Sequence, residues 1–500
     1  MPKPTHHVLP PFPPTAPSLR AKEPALTKTL QNLIAGVWQD SRSGTRHDLV
    51  DPATEEVIAQ WPGGSAEDVR HAVDAAATAQ PAWAALPQAE RVDLLERWAD
   101  TVAEHAAELA DIECREMGKP VGPGRMFLAG AAQGLKAVAA QARSYRYEEI
   151  VAGPAGSSTK IVRRPLGVAA VLTPWNFPVP MVLGAIGPLL AAGNTVVVKP
   201  SERAPLSVVR LFELLDPPPG VLNLVLGDAR AGVPLVESDD VHLVHFTGSV
   251  AAGRSVGAAA GARLHRSILE LGGKDPVVID AGVDPVRTAA AVAFGAFVNS
   301  GQICTSMERI YVHRDIAEPF VEALVAAAAG HTLGDGRDER TVLGPLADAR
   351  QRDIVHRHVT DAVERGARVL VGGTVPEGKG FFYPATVLTD VDESMLVMTE
   401  ETFGPLAPVV VVDSFEEGLA LASRSRFGLA ATVYTDDPAH MAAAERLPAG
   451  VVWVNQWQGG GPERLYEPAG DSGMGATGSS AAFDAATRPV SVHITTIGSE

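Results

Sequence analysis

The spacing of hydrophobic residues changes twice along this chain. From Ser65 it is helical: SAEDVRHAVDAAATAQPAW opens on a good N-cap, with Asp68 three residues on in a capping-box place. AERVDLLERWADTVAEHAAELADIECREMG continues at the same period. From residue 167, short unbroken apolar runs alternate with helical stretches. GVAAVLT, NTVVVKP, VLNLVLG, VHLVHF and HRSILELGG read as strands, with PMVLGAIGPLLAAG and APLSVVRLFELL as helices among them. A second series runs from PVVID to residue 454 through RIYVH, ARVLVGG, APVVVVDSF, AATVYT and GVVWVN. Runs of β-branched residues without polar alternation belong to strands buried on both faces. The expected fold class is therefore α/β, with two doubly wound parallel-sheet domains. Residues 146–165 (TKIVRRP) and 487–496 (TRPVSVHITT) stand outside this alternation and fit a small antiparallel extension used in assembly. The predicted division is an arm over 1–30, a first domain from 31–145 and 166–272, a second over 273–454, and an extension from 146–165 and 484–500. The arm is rich in proline and has no apolar period.

Composition narrows the choice of partners. A chain of 500 residues exceeds a single core, and 46% hydrophobic with 20% charged residues is ordinary for a soluble protein. A net charge of -17 argues against nucleic acid and against an anionic membrane. Any phosphate ligand has to be held by local groups. No apolar run approaches a membrane span, and the N-terminus shows neither a secretory nor a transit pattern. Two cysteines far apart do not make a disulfide framework, so a reducing, cytoplasmic setting is expected.

Those two cysteines differ in surroundings. Cys114 lies in a helical stretch and reads as a small packed side chain. Cys304 sits among small polar residues in SGQICTS (300–306). Elsewhere, FTGSVAAG (246–253) joins a strand to a helix start, where Gly248 and Gly253 allow a tight turn with amides facing an anion. It lacks the GxGxxG spacing. It also misses the triphosphate-binding pattern, because Arg254 stands where that pattern requires lysine. KPSE (199–202) follows a buried strand, so Lys199 and Glu202 are placed to hold the two hydroxyls of a ribose. An anionic Glu202 would repel a 2′-phosphate, which favours NAD over NADP. In TPWNFP (173–178) prolines flank Asn176 and fix the backbone that aims its amide. Glu270 in LELGGK lies before a glycine pair at a strand end, and gains meaning if a thiol faces it.

DPATEEVIA (51–59), EMGKP (116–120), TPWNFP, KPSE, FTGS, ELGGKDP (270–276), GQICTS (301–306) and EETFGP (400–405) occur in one order. Together they resemble the aldehyde dehydrogenase superfamily, NAD(P)-dependent and non-acylating, from about residue 30 to 455. The resemblance implies oxidation of an aldehyde to the carboxylic acid with NAD as hydride acceptor. It implies Cys304 as nucleophile, Asn176 with the Cys304 amide as oxyanion donors, and Glu270 as the base that activates water on a thioester. It implies Lys199 and Glu202 on the adenine ribose, Gly248 and Ser249 at the pyrophosphate, Glu401 on the nicotinamide ribose, and Phe403 and Trp175 beside the ring. A homodimer or homotetramer is implied, and no metal. Tunnel positions would be Phe177, Met181, Gly184, Trp457 and Arg464; a small Gly184 widens the tunnel and points to a medium-sized apolar or aromatic aldehyde. The chain departs from the family at 467–478, EPAGDSGMGATG, where the usual aromatic is Ala469 and a Gly-Arg-Glu ending is missing. That departure keeps two other readings open. One is a cofactor-independent cysteine esterase or hydrolase using a histidine such as His242, His245 or His265. The other is a catalytically lost NAD-binding homologue.

Overall fold

The computed structural model describes residues 28–153, 157–461 and 463–495. Two sheets dominate it. The first has eight strands in the order Gly473–Met474, Arg266–Glu270, Val241–Thr247, Val168–Thr173, Thr195–Pro200, Leu222–Leu224, Asn32–Ile34 and Val37–Gln39. Its five central strands, from Arg266–Glu270 to Leu222–Leu224, are parallel. The flanking pairings are antiparallel. The second sheet has seven strands: Arg368–Val371, Thr386–Thr389, Leu406–Val412, Met307–His313, Asp275–Ile279, Ala430–Tyr434 and Val451–Val454. All its pairings are parallel except that of Arg368–Val371.

Unbroken apolar strands are explained by what covers each face. In Val168–Thr173, Ala169 and Val171 enter one core with Leu95, Leu135 and Phe212, while Val168, Ala170 and Leu172 enter another with Val73, Leu235 and Val244. In Asp275–Ile279 the split is Val277 and Ile279 against Val278. A period-two chain with both faces in apolar cores has no polar position to spare. The α/β class with doubly wound parallel sheets is thus present.

Several details differ from the sequence reading. The second helical stretch is broken at His105 into Gln88–Glu104 and Ala106–Met117. The strand Thr386–Thr389 was not foreseen. Residues 1–27 of the expected arm lie outside the described residues. Residues 28–30 do not share its character, since Lys28–Thr29 pairs with Val57–Pro62 and Leu30 is buried. Ser65 does cap Ala66–Ala85, but the carboxyl of Asp68 takes the Ser65 hydroxyl rather than completing a capping box. Thr487–Thr495 pairs antiparallel with Ser157–Pro165, which pairs with Glu148–Ala152. Residues 484–486 finish or follow the short helix Ala481–Ala485, and 496–500 lie outside the described residues. Among the described residues no helix is long and apolar enough to cross a membrane.

Candidate active site

The loop that carries Cys304 is held in an unfavourable shape. After the helix Pro285–Phe297 the chain makes a tight turn in which Asn299, Ser300 and Gly301 have φ of 53°, 56° and 70°. Two consecutive non-glycine residues in the left-handed region are costly and need anchoring. The anchors are buried hydrogen bonds. The Asn299 amide donates to the carbonyls of Asn176 and Gln302, each at 3.3 Å. The Ser300 hydroxyl donates to the Gly344 carbonyl at 2.8 Å, and the Gln302 amide oxygen accepts from the Ala347 N–H at 2.9 Å. Gly301 admits no substitute, because a Cβ there would lie 2.1 Å from the Gly404 carbonyl oxygen. The result is a half-buried thiol at a fixed place; Cys114, by contrast, is buried in a helix.

Asn176 comes to this loop from the other sheet. Its side-chain N–H donates to the Gln302 carbonyl at 2.9 Å, two residues from the thiol. The EMGKP stretch sets that geometry from below. Glu113 and Lys119, both fully buried, pair at 2.8 Å, and Glu113 also accepts from the Val179 N–H. Lys119 lies 4.1 Å from the centre of the Phe177 ring. Glu116 takes the Leu206 and Ser207 amides at the start of the helix Leu206–Leu215.

Glu270 ends its strand facing Cys304. Burial pushes its carboxyl up to about 7, against one hydrogen bond from the Thr477 hydroxyl at 2.9 Å. The Cys304 thiol is raised by burial first, then by the Asp275, Glu270 and Glu401 carboxyls. It rests protonated and needs a base. Burial pushes Glu401 to about 8; it accepts from the Gly273 N–H at 3.1 Å, and a Cβ on Gly272 would lie 2.4 Å from it.

The remaining candidates lie at or just after the carboxyl ends of the first sheet's strands and on the loop of Phe403. Lys199, its charge disfavoured by burial, donates to the Pro200 and Gly227 carbonyls at 2.8 and 2.7 Å, with the Glu202 carboxylate 3.8 Å away. Ser249 caps the helix Val250–Ala262 and accepts from the Ala252 N–H. Gly248 donates to the Glu270 carbonyl at 3.0 Å. Phe403, at φ 53°, sits edge-on to Trp175 with ring centres 5.3 Å apart. Its amide and that of Thr402 are clamped on Glu308, which pairs with buried Lys274 at 2.5 Å. Arg203 lies over Trp175 at 4.1 Å and pairs with Asp348 at 2.6 Å.

On the far side of the thiol the lining is apolar. Phe177, Val298 and Ile303 are buried together, with Phe127, Met181 and Trp457 packed on them. The Trp457 indole N–H donates to the Thr305 carbonyl at 3.0 Å. Gly184 follows on the same helix face as Phe177 and Met181; it is exposed, and a Cβ on it would meet nothing within 4 Å. Arg464 is exposed near Tyr466 at the rim.

Residues 38–492 match the model of the aldehyde dehydrogenase family. The chain belongs to that family. It is 38% identical over 429 residues to lactaldehyde dehydrogenase of Escherichia coli (strain K12), covering 85% of this chain and 90% of that one. It is 35% identical over 430 residues to the succinate-semialdehyde dehydrogenase (NADP+) of the same organism, covering 85% and 89%. The crystal structure of PnpE in complex with nicotinamide adenine dinucleotide superposes with a TM-score of 0.91 at 35% identity, over 94% of this chain and 98% of that one. This aldehyde dehydrogenase is thus an NAD(P)-dependent enzyme that oxidises an aldehyde to an acid. Sequence reasoning gave no role to Thr477, Tyr466, Gln302 or the Lys274–Glu308 pair. Lys274 lies inside ELGGKDP, so the motif held that signal; Thr477 had none, since its contact depends on the path of the divergent segment.

Proposed function

We propose that Cys304 is the nucleophile, Asn176 an oxyanion donor, and Glu270 the base for hydrolysis. The supporting observation is the convergence of the Asn176 amide and the Glu270 carboxyl on the one loop that fixes the thiol. In this reading the Cys304 thiol gives its proton to water as its sulfur adds to the aldehyde carbonyl carbon, and the new oxyanion is met by the free N–H of the Asn176 amide and by the Cys304 backbone N–H. The dinucleotide suits this region by the character of the polar groups there: a capped helix start at Ser249, Lys199 beside Glu202, and the Glu401 carboxyl. Bound there, its nicotinamide supplies the acceptor for the hydride that leaves the thiohemiacetal. Glu270 then takes a proton from water as it attacks the Cys304 thioester. The groups that raise the thiol are carboxyls, which favours this reading over a cysteine–histidine hydrolase.

The Glu202 carboxylate beside Lys199 favours NAD over NADP, since a 2′-phosphate there meets a negative charge. The apolar lining favours a medium-sized apolar or aromatic aldehyde. The first sheet and its helices form the cofactor unit, and the second supplies the thiol. The 148–165 and 487–495 strands fit an oligomer contact, and a reducing cytoplasm would keep Cys304 a thiol. The test is turnover of NAD or NADP with aliphatic, aromatic and carboxylated aldehydes, beside Cys304→Ala. The variant is expected to lose at least ~10³-fold in kcat while still binding cofactor. Turnover surviving in it would remove Cys304 from the chemistry.

A further inference from the structure

The segment that departs from the family ends on the base. Gly473–Met474 lies antiparallel against the last two residues of the 266–270 strand, with Gly473 opposite Glu270. The Leu271 N–H donates to the Ser472 carbonyl at 2.8 Å, and the Ser472 hydroxyl donates to the Gly272 carbonyl at 2.8 Å. Gly473 has φ 131°, and a Cβ on it would lie 1.8 Å from the Leu269 carbonyl oxygen, so the two backbones are in direct contact. The chain then turns back, and Thr477–Gly478 pairs with Leu465–Tyr466. This strap delivers the Thr477 hydroxyl to 2.9 Å from Glu270 Oε1. Among the described residues no other side chain donates a hydrogen bond to that carboxylate.

We propose that Thr477 is a positioning residue for Glu270, whose hydroxyl holds the carboxylate ionised and aimed and thereby sets the rate of thioester hydrolysis. The proposal rests on the reading of Cys304 as acyl carrier and Glu270 as base. In the step concerned, the water oxygen bonds to the thioester carbon while a water proton passes to Glu270. The C–S bond then breaks, the proton goes to the departing Cys304 sulfur, and the free acid leaves. No oxidant or reductant takes part.

A hydroxyl donating to a carboxylate favours its charged form and opposes the burial that pushes Glu270 up. The titratable groups facing Glu270 are the Cys304 thiol and the Tyr466 phenol, both raised and neutral. Asp275 and Glu401 stand around the thiol, Arg464 lies by Tyr466, and Asp471 is paired with Arg254 and Arg426. Thr477→Val alters none of these charges. It removes only the donor, and a hydrogen bond to a charged group is worth enough to move the titration up by about one pH unit.

The experiment acetylates Cys304 with p-nitrophenyl acetate, removes excess reagent, and follows loss of the adduct by intact mass across pH. Thr477→Val is expected to acetylate normally, to lose the adduct about fivefold more slowly at pH ~7, and to approach wild type at alkaline pH. Thr477→Ser should restore the wild-type profile. Decay of Thr477→Val with the wild-type pH dependence would overturn the proposal. So would equal slowing at every pH without rescue by serine, or a Thr477→Val protein that does not acetylate, because the strap would then serve the fold or the thiol. A wild-type protein that takes no acetyl group on Cys304 would strike the nucleophile reading itself, and the proposal with it.

Discussion

The Cys304 loop and the 465–478 strap reach the same few ångströms of space by opposite construction. The loop spends backbone strain at Asn299 and Ser300 and secures it with buried hydrogen bonds to Asn176, Gly344 and Ala347. The strap has strands of only two residues, glycines at positive φ, and exposed side chains at Leu465 and Met474. One region is fixed by both sheets at once. The other is stitched by two-residue ladders to the edge of the first sheet and to Phe427–Gly428. On the proposed roles, the difference teaches where each task sits. Bond-making common to all aldehydes belongs to the buried loop, where a small shift would cost orders of magnitude. Adjustment of the base and of the entrance belongs to the strap, where a residue can change without disturbing a core.

The strongest way to break this comparison is to remove the group on which both regions act. Glu270→Gln should lower steady turnover by about 10²–10⁴-fold while the first reduced cofactor per site still appears, read by stopped flow. Undiminished steady turnover would separate the strap from the chemistry. The same variant reports on stability. The folded carboxyl sits near 7 against an ordinary 4.5, so the folded state binds its proton more tightly than the unfolded state. Wild-type stability therefore falls as pH rises from about 4.5 through about 7. Glu270→Gln does not lose that increment. It should melt above wild type at pH ~8, with the difference gone below pH ~4.5, by calorimetry at matched ionic strength.

A smaller effect is expected at the apolar wall between the two regions. Gly184→Trp fills open space on the face of Phe177 and Met181, and should cut kcat/KM for an aromatic aldehyde by about 10–100-fold while sparing a two-carbon one. Equal losses for both would place Gly184 outside the tunnel. The smallest change belongs to the rim. Arg464→Ala should alter kcat/KM for uncharged aldehydes by less than about threefold, since an exposed cation contributes little. A tenfold loss confined to carboxylated aldehydes would turn the rim into a recognition element.

What could be read in the sequence follows the same divide. The parallel sheets were legible because burial on both faces leaves a local trace, an apolar run without alternation. Cys304, Glu270, Asn176 and Glu401 could be picked out as candidates because each proposed task needs one particular side chain inside a short motif. The break at His105 was not, because the hydrophobic period runs on through it. The strand Thr386–Thr389 was hidden by its length of four residues. Thr477 could not have been found, because a threonine between Ala476 and Gly478 carries no local signal. Its meaning lies in a contact with a residue 207 positions earlier.

That separation has a consequence for how the protein is made. Glu270 and Cys304 are synthesised well before Gly473 and Thr477, which lie far downstream in the chain. Strand pairing over such distances comes late in folding, after the local helices and the parallel cores. During synthesis the thiol loop takes shape beside a carboxylate that has neither its edge strand nor its hydroxyl. The segment that completes the surroundings of Glu270 is thus made after the loop and after both parallel cores.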